Sequence, residues 1–395
     1  MTDAPAKPSA GDFAQPIMAG ALAAIVGYAS SFTLVLGGLG HAGATPDEAA
    51  SGLFAMCIAL AVLNVVVVWR LKIPLSFAWS TPGAAFLLTL QPIAGGFAAV
   101  TGAFLMVAVL VLACGLIKPL ARAVAAIPGP IAAAMLAGVL LELCLAPVQA
   151  VAQLPWLALP ILAAWVIGLK FARRYAVPFA VIAAGLVLGL TSNLPAGALS
   201  LALPQLHFIM PVFTLEALVK VAVPLFVITM ASQNLTGLAV LRTNGYQVNA
   251  AVPFVSTGLL SGLVALFGGL TINLAAITAA LMASAEAHPD PRRRWIAPVA
   301  SGPAYLLLGL AATLASSFIA ASPPILIEAV AGLALLPSLG GALSAALANE
   351  DLRLPAILTF VTTASGITLL GIGGAFWGLV AGIALMLVLR KWRST

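Results

Sequence analysis

Apolar runs of ~15 to 25 residues, separated by short polar or Pro/Gly breaks, recur from Pro16 to Leu389. Runs of that length match the thickness of a bilayer's hydrocarbon. Inside hydrocarbon every backbone N–H and C=O must be paired, which favours the helix. The composition excludes a soluble globule: 63% of the residues are hydrophobic and 7% charged, where a soluble domain carries about a quarter charged. The expected fold class is therefore an all-α polytopic membrane protein.

Fourteen segments can be counted. Segments 1 to 7 are Pro16–Gly40, Ala49–Trp69, a short Thr81–Leu90 preceded by the extended-looking Ile73–Trp79, Gly96–Ile117, Pro130–Leu145, Pro155–Leu169 and Pro178–Leu190. After a polar stretch over Thr191–Pro211, segments 8 to 14 are Leu215–Leu241, Ala251–Phe267, a short Ile272–Ala285, Trp295–Phe318, Pro323–Leu347, Pro355–Leu370 and Gly373–Leu389.

Charge tests this count independently. With a cytoplasmic N-terminus, fourteen crossings place Lys7, Arg70, Lys72, Lys118, Arg122, Lys170, Arg173, Arg174, Arg242, Arg292, Arg293, Arg294, Arg353, Arg390, Lys391 and Arg393 inside. Of the 17 basic residues only Lys220 falls outside. The net charge of +6 is thus the mark of cytoplasmic loops and not of a nucleic-acid partner. Residues 1–15 lack an apolar core after a basic start and read as a short cytoplasmic tail. Cys57, Cys114 and Cys144 lie inside apolar runs without CxxC spacing or a nearby His, so they read as small hydrophobes and not as metal ligands or disulfides.

The two halves repeat. Ser80-Thr81-Pro82-Gly83-Ala84-Ala85-Phe86 aligns without a gap to Thr271-Ile272-Asn273-Leu274-Ala275-Ala276-Ile277, and both open short segments. Gly268-Gly269 breaks the chain before the second, Thr271 or Asn273 is expected to cap the helix that follows, and Pro82 suits helix position N1. Ala29-Ser30 matches Ala231-Ser232, and Pro130-Ile131 with Gly138 matches Pro324-Ile325 with Gly332, in the same order. Seven crossings per unit turn the second upside down, giving a 7+7 inverted repeat with half-helices at segments 3 and 10. Free N–H groups at two half-helix starts survive in a membrane only around a cavity, which implies one shared site.

Segment 8 carries Ser232, Gln233, Asn234 and Thr236 in the middle of an apolar run, where unpartnered polar groups cost several kcal/mol. They contact either a ligand or a neighbouring helix. Segment 1 offers Tyr28, Ser30, Ser31 and Thr33 at the matching depth.

Three runs, Ala78-Trp79-Ser80-Thr81-Pro82-Gly83-Ala84-Ala85, Ala231-Ser232-Gln233-Asn234 with Gly245-Tyr246 beyond it, and Asn273-Leu274-Ala275-Ala276-Ile277-Thr278, together resemble the benzoate:proton symporter (BenE) family of bacterial inner membranes. The resemblance covers essentially the whole chain and extends, more distantly, to the nucleobase:cation symporter and sulfate permease fold. It implies a core of residues 16–122 and 215–320, a gate of 123–195 and 321–395, and a connecting region at 196–214. It also implies proton-coupled uptake of benzoate or a similar aromatic carboxylate in the inner membrane, by alternating access and without a cofactor. Partners are the substrate, protons and the bilayer, with a homodimer left open. Substrate is expected between the starts of segments 3 and 10 and the middle of segment 8, touching Gln233, Asn234, Ser232, Asn273, Leu274, Thr81, Pro82, Gly83, Tyr28 and Ser30.

One departure is informative. Uracil-type relatives of this fold use carboxylates in segments 8 and 10, where this chain has Gln233 and the uncharged Asn273 to Ala276. Amides and two positive helix ends suit an organic anion. Phe86, Phe32, Tyr28 and Trp79 nearby suit an aromatic one. For proton coupling the candidates are Glu328 in segment 12 and, nearer its segment's end, Glu142 in segment 5. His41, His207 and His288 are expected in loops. Neither HExxH nor GxSxG occurs, which argues against an enzyme. The alternatives are a carrier of another small organic anion or a nucleobase, or a passive anion channel.

Overall fold

The computed structural model describes residues 11–119, 128–191, 202–369 and 372–393. Lys7, Arg122 and Leu370, with most of the expected tail and part of the central polar stretch, lie outside the described residues. Helices occupy the positions of the apolar runs. In chain order they are α1 (Gly11–Ala29), α2 (Phe32–His41), α3 (Pro46–Leu71), α4 (Thr81–Leu88), α5 (Gly96–Leu116), α6 (Gly129–Gln153), α7 (Pro155–Phe171) and α8 (Ala176–Thr191). There follow α9 (Leu215–Thr243), α10 (Ala251–Ala265), α11 (Ala276–Met282), α12 (Ile296–Gly309), α13 (Ala312–Ala320), α14 (Pro324–Leu347), α15 (Arg353–Ala364) and α16 (Gly374–Arg393).

Among the described residues, six helical spans are long and apolar enough to cross a membrane, and the pair α12–α13, bent by 54°, makes a seventh. Segment 1 is likewise two helices, divided at Ser30-Ser31. Segment 5 runs on past Leu145 to Gln153, with Pro147 inside it. Local chemistry explains the starts. Thr45 and Glu48 form a capping box on α3, with Pro46 in its first turn, and Thr214 caps α9. Lys220, the one basic residue expected outside, is paired with Glu216 one turn earlier.

The all-helical expectation needs one amendment. Two three-residue strands, β1 (Phe77–Trp79) and β2 (Ile272–Leu274), pair antiparallel in the register Phe77↔Leu274, Ala78↔Asn273 and Trp79↔Ile272. A second short ribbon joins Thr368–Leu369 to Ile372–Gly373. Beyond the central pair, Ser80 N–H donates to the Thr271 carbonyl at 3.0 Å and Ala275 N–H to the Ser76 carbonyl at 2.9 Å. The ribbon is therefore symmetric about Ala78 and Asn273, and each strand runs directly into a half-helix, α4 or α11.

This symmetry corrects the alignment of the halves. Ser80 and Ala275 are the equivalent N-cap residues, so Ser80 corresponds to Ala275 and not to Thr271. Neither Thr271 nor Asn273 caps a helix: Thr271 precedes β2, Asn273 lies inside it, and α11 starts from Ala275 without a side-chain cap. A gap-free match between alanine-rich stretches carries little information, whereas hydrogen bonding fixes strand register. The break itself is where the glycines put it. Gly268 turns at φ +82°, and a Cβ on the facing Gly52 of α3 would lie 2.5 Å from the Gly268 carbonyl oxygen.

A two-stranded ribbon leaves its outer edges unpaired, which hydrocarbon does not tolerate. Side chains close them. Asn64 of α3 donates to the Phe77 carbonyl at 3.3 Å and accepts from Phe77 N–H at 3.1 Å. On the other strand, Ser261 of α10 accepts from Ile272 N–H at 2.8 Å and donates to the Ile272 carbonyl at 3.3 Å. Phe77 and Ile272 are equivalent in the ribbon, so segments 2 and 9 do the same work in the two halves.

The principal helix pairings fall into two sets. In one, α1 packs on α12, α3 on α12 and α13, and α5 on α10; in the other, α6 packs on α14 and α15, α15 on α16, and α7 on α8. Gly138 and Gly332, matched in sequence, are both close-approach points: a Cβ would meet Thr363 Cβ at 2.5 Å and the Leu143 carbonyl oxygen at 2.2 Å respectively.

Candidate functional site

The ribbon positions both half-helix starts beside α9. Ser80 caps α4, its hydroxyl accepting from Gly83 N–H at 3.1 Å and bonding Thr229 of α9 at 2.9 Å. Pro82 has no N–H to offer and Ala84 N–H returns to the Ser80 carbonyl, so the first turn of α4 leaves the half-buried Thr81 with its N–H and hydroxyl free. Pro82 and Gly83 are buried, and a Cβ on Gly83 would strike Leu225 of α9 at 2.5 Å. The uncapped α11 adds donors from the opposite side.

On α9 the polar run falls in a π-turn, Met230–Asn234, an irregularity that re-aims side chains and recurs at functional sites. Gln233 and Ser232 are half-buried there, the Ser232 hydroxyl donating to the Ile228 carbonyl at 2.6 Å. Asn234 is fully buried, and its Oδ1 accepts from Leu274 N–H at 3.0 Å, closing another edge of the ribbon. Its amide is thus engaged in holding β2. Asn273 is also fully buried, yet neither its Nδ2 nor its Oδ1 has a partner. The remaining expected contact, Leu274, contributes its backbone to the ribbon and its side chain to the core.

An aromatic group borders the crossing. Tyr28 stacks on Phe32 with centroids 5.6 Å apart and meets Trp79 edge-on at 5.8 Å, and Trp79 meets Tyr305 edge-on at 5.8 Å. Trp79 Nε1 donates to Ser31 Oγ at 2.9 Å, while Ser31 and Ser30 both donate to the Gly27 carbonyl. The break between α1 and α2 is thereby tied to the strand that launches α4. Tyr28 and Phe32 also wall an apolar cavity of about 400 Å³, completed by Leu188, Leu314, Phe318 and Ser322. Phe86 instead is buried in α4. None of the residues at the crossing carries a charge, so the site presents neutral donors and aromatic faces.

A family model described as benzoate membrane transport protein matches residues 12–388. The chain belongs to this family. A benzoate membrane transport protein of Acinetobacter baylyi is 32% identical over 378 residues, covering 95% of each chain. The inner membrane protein YdcO of Escherichia coli is 40% identical over 379 residues with the same coverage. Among solved structures, the transmembrane domain of a cyanobacterial bicarbonate transporter, BicA, aligns with a TM-score of 0.62 at 17% identity, over 93% of this chain and 97% of that one. The murine anion transporter Slc26a9 in its inward-facing state aligns at 0.60 and 13%, over all of this chain and 73% of that one. At such identities the likeness is one of fold. Membership of this family, with several helices long and apolar enough to cross a membrane, makes the chain a multi-pass membrane transport protein and not an enzyme.

Of the two candidate acids, Glu142 changes its expected setting. Glu142 is in mid-helix in α6, because that helix continues to Gln153, and its side chain is exposed. Glu328 stands near the start of α14, half-buried, and lines a second cavity of about 300 Å³ with His41. His41 therefore does not belong to a loop: it ends α2, and its Nε2 lies 3.1 Å from the Leu90 carbonyl oxygen. Reading the apolar run as ending before it hid this histidine. Asn64 and Ser261 were hidden differently, as single polar residues inside apolar runs. That interruption is the signal that could have found them.

Proposed function

We propose that this protein is a secondary active transporter that carries benzoate or a similar aromatic carboxylate into the cell together with protons, by alternating access. The observation that carries the reading is the family match over residues 12–388. The uncharged crossing fits the substrate: Thr81, Gln233 and the start of α11 offer donors to a carboxylate, no fixed carboxylate repels it, and the Tyr28–Phe32 cavity admits a ring. Ser30, Ser232 and the unpartnered Asn273 amide complete the set of candidate contacts.

The fourteen segments then form two inverted sets of seven with both termini cytoplasmic, residues 16–122 and 215–320 as core and 123–195 and 321–395 as gate. The symmetric ribbon, the equivalent edge caps Asn64 and Ser261 and the two sets of helix pairings support this arrangement. Proton coupling follows from energetics. An entering anion works against the inside-negative potential by about 2.3 kcal/mol per 100 mV, and one proton cancels that charge.

Counterflow in proteoliposomes tests the reading. Vesicles loaded with unlabelled benzoate should take up labelled benzoate faster than unloaded ones, with substituted benzoates competing and uracil not. Uptake indifferent to the internal load would indicate a channel, and competition by uracil a nucleobase carrier.

A further inference from the structure

The cavity of about 300 Å³ lies between the two helix sets. His41 and Gly37 of α2, Leu88 at the end of α4 and Ser316 of α13 form one side, and Glu328 of α14 the other. At ~30 Å³ per molecule it has room for several waters, and His41, Ser316, Ser322 and Glu328 bring polar side chains to an otherwise apolar lining. Two titratable side chains thus line one cavity, at the outer end of the half-helix whose inner end opens the crossing.

The histidine is set up to pass a proton on. Bonding to the Leu90 carbonyl at 3.1 Å keeps the hydrogen on Nε2, which leaves Nδ1 as the atom that gains and loses a proton. The geometry points to this cavity as the proton-loading site of the transporter, with His41 taking a proton from the outer solution and delivering it to Glu328. In that step the Nδ1–H bond breaks and an Oε–H bond forms on Glu328, directly or through a water; imidazolium becomes imidazole and carboxylate becomes carboxylic acid. The site rests on the proton-coupled reading above and names its entry point.

Other charged groups near the cavity are few. Glu142 is exposed on α6, the helix packed against α14, and the turn that supplies Pro46 and Ala49 carries Asp47 and Glu48. The Glu48 carboxylate is occupied by Thr45 N–H and hydroxyl at 2.8 and 2.9 Å. Because α2 and α14 belong to opposite walls, an ionised Glu328 attracts an imidazolium across the gap and a protonated one does not. Protonation thereby bears on whether the outer side opens.

The experiment compares wild type, His41→Gln and Glu328→Gln in proteoliposomes, measuring labelled benzoate uptake on an imposed pH gradient with the outer pH varied from about 5 to about 8, and counterflow at equal pH. Glutamine at 41 keeps a donor for the Leu90 carbonyl but cannot relay a proton. His41→Gln should lower gradient-driven uptake by about tenfold or more near neutral pH and much less at the acid end, where solution protons reach Glu328 unaided. Glu328→Gln should lose gradient-driven uptake throughout. Both should retain counterflow. A His41→Gln profile superimposable on wild type overturns the relay while leaving proton-coupled uptake standing. Equal loss of uptake and counterflow at every pH makes His41 structural and also overturns it. Wild-type uptake that ignores the pH gradient removes the coupled reading and the relay together.

Discussion

Replacing Asn64 by leucine should unseat the ribbon that carries both half-helices. Asn64 is fully buried and satisfies both the N–H and the carbonyl of Phe77. Leucine leaves one donor and one acceptor unpaired in a water-free interior, at about 1–3 kcal/mol each, hence about 2–6 kcal/mol in all. No longer burying an amide offsets part of this, so a net loss of about 2–4 kcal/mol is expected. At about 2 °C or more per kcal/mol, the purified protein in detergent should melt at least ~4 °C below wild type. Ser261→Ala, at the equivalent place, should act in the same direction, since one hydroxyl there serves both Ile272 N–H and its carbonyl. Thermal unfolding by intrinsic fluorescence, with counterflow on the same preparations, reads both effects. If Asn64→Leu melts within a degree of wild type and exchanges benzoate normally, edge capping of the ribbon is not what holds the crossing.

Gln233→Glu should weaken benzoate binding more than Gln233→Leu, because it places a like charge beside the carboxylate; equal, near-wild-type counterflow by both variants would remove Gln233 from the site. Arg294 is buried and donates to the carbonyls of His288 and Ala283 at 2.8 Å and of Pro289 at 3.3 Å, the Ala283 carbonyl ending α11. Arg294→Met should cost about 2 kcal/mol or more, from charge-assisted bonds lost at a helix C-terminus, and an unchanged melting point would contradict this. Cysteines introduced singly at Arg173, Arg242 and Arg293 should react only with reagents on the cytoplasmic side and one at His207 only outside. Opposite labelling of Arg242 and Arg293 breaks the inverted repeat.

Much of the fold was legible because hydrocarbon reduces the choices to apolar helices between polar breaks. The half-helices were legible too, from Ser80-Thr81-Pro82 and from Gly268-Gly269. Their relation was not: ribbon register is set by backbone hydrogen bonds, and the alanine-rich stretches around Thr271 matched Ser80 as well as Ala275 does. At the crossing, residue type marked both Gln233 and Asn234, but only the geometry separates a buried edge cap from a half-buried amide in the π-turn. Helix length decided the acids. The roughly two turns that α6 adds beyond Leu145 bring Glu142 to mid-helix, while the extension of α2 to His41 gives Glu328 a partner no local pattern contained.

The most direct test of coupled transport is the proton movement that benzoate itself causes. In vesicles containing the protein and an internal pH dye, with no initial pH gradient, an inward benzoate gradient should acidify the lumen by at least about one proton per benzoate. Protein-free vesicles supply the baseline for passive entry of the neutral acid. Acidification well above that baseline, saturating with benzoate and abolished by Glu328→Gln, is the predicted result. Benzoate entry with no acidification beyond the protein-free baseline would contradict proton-coupled uptake.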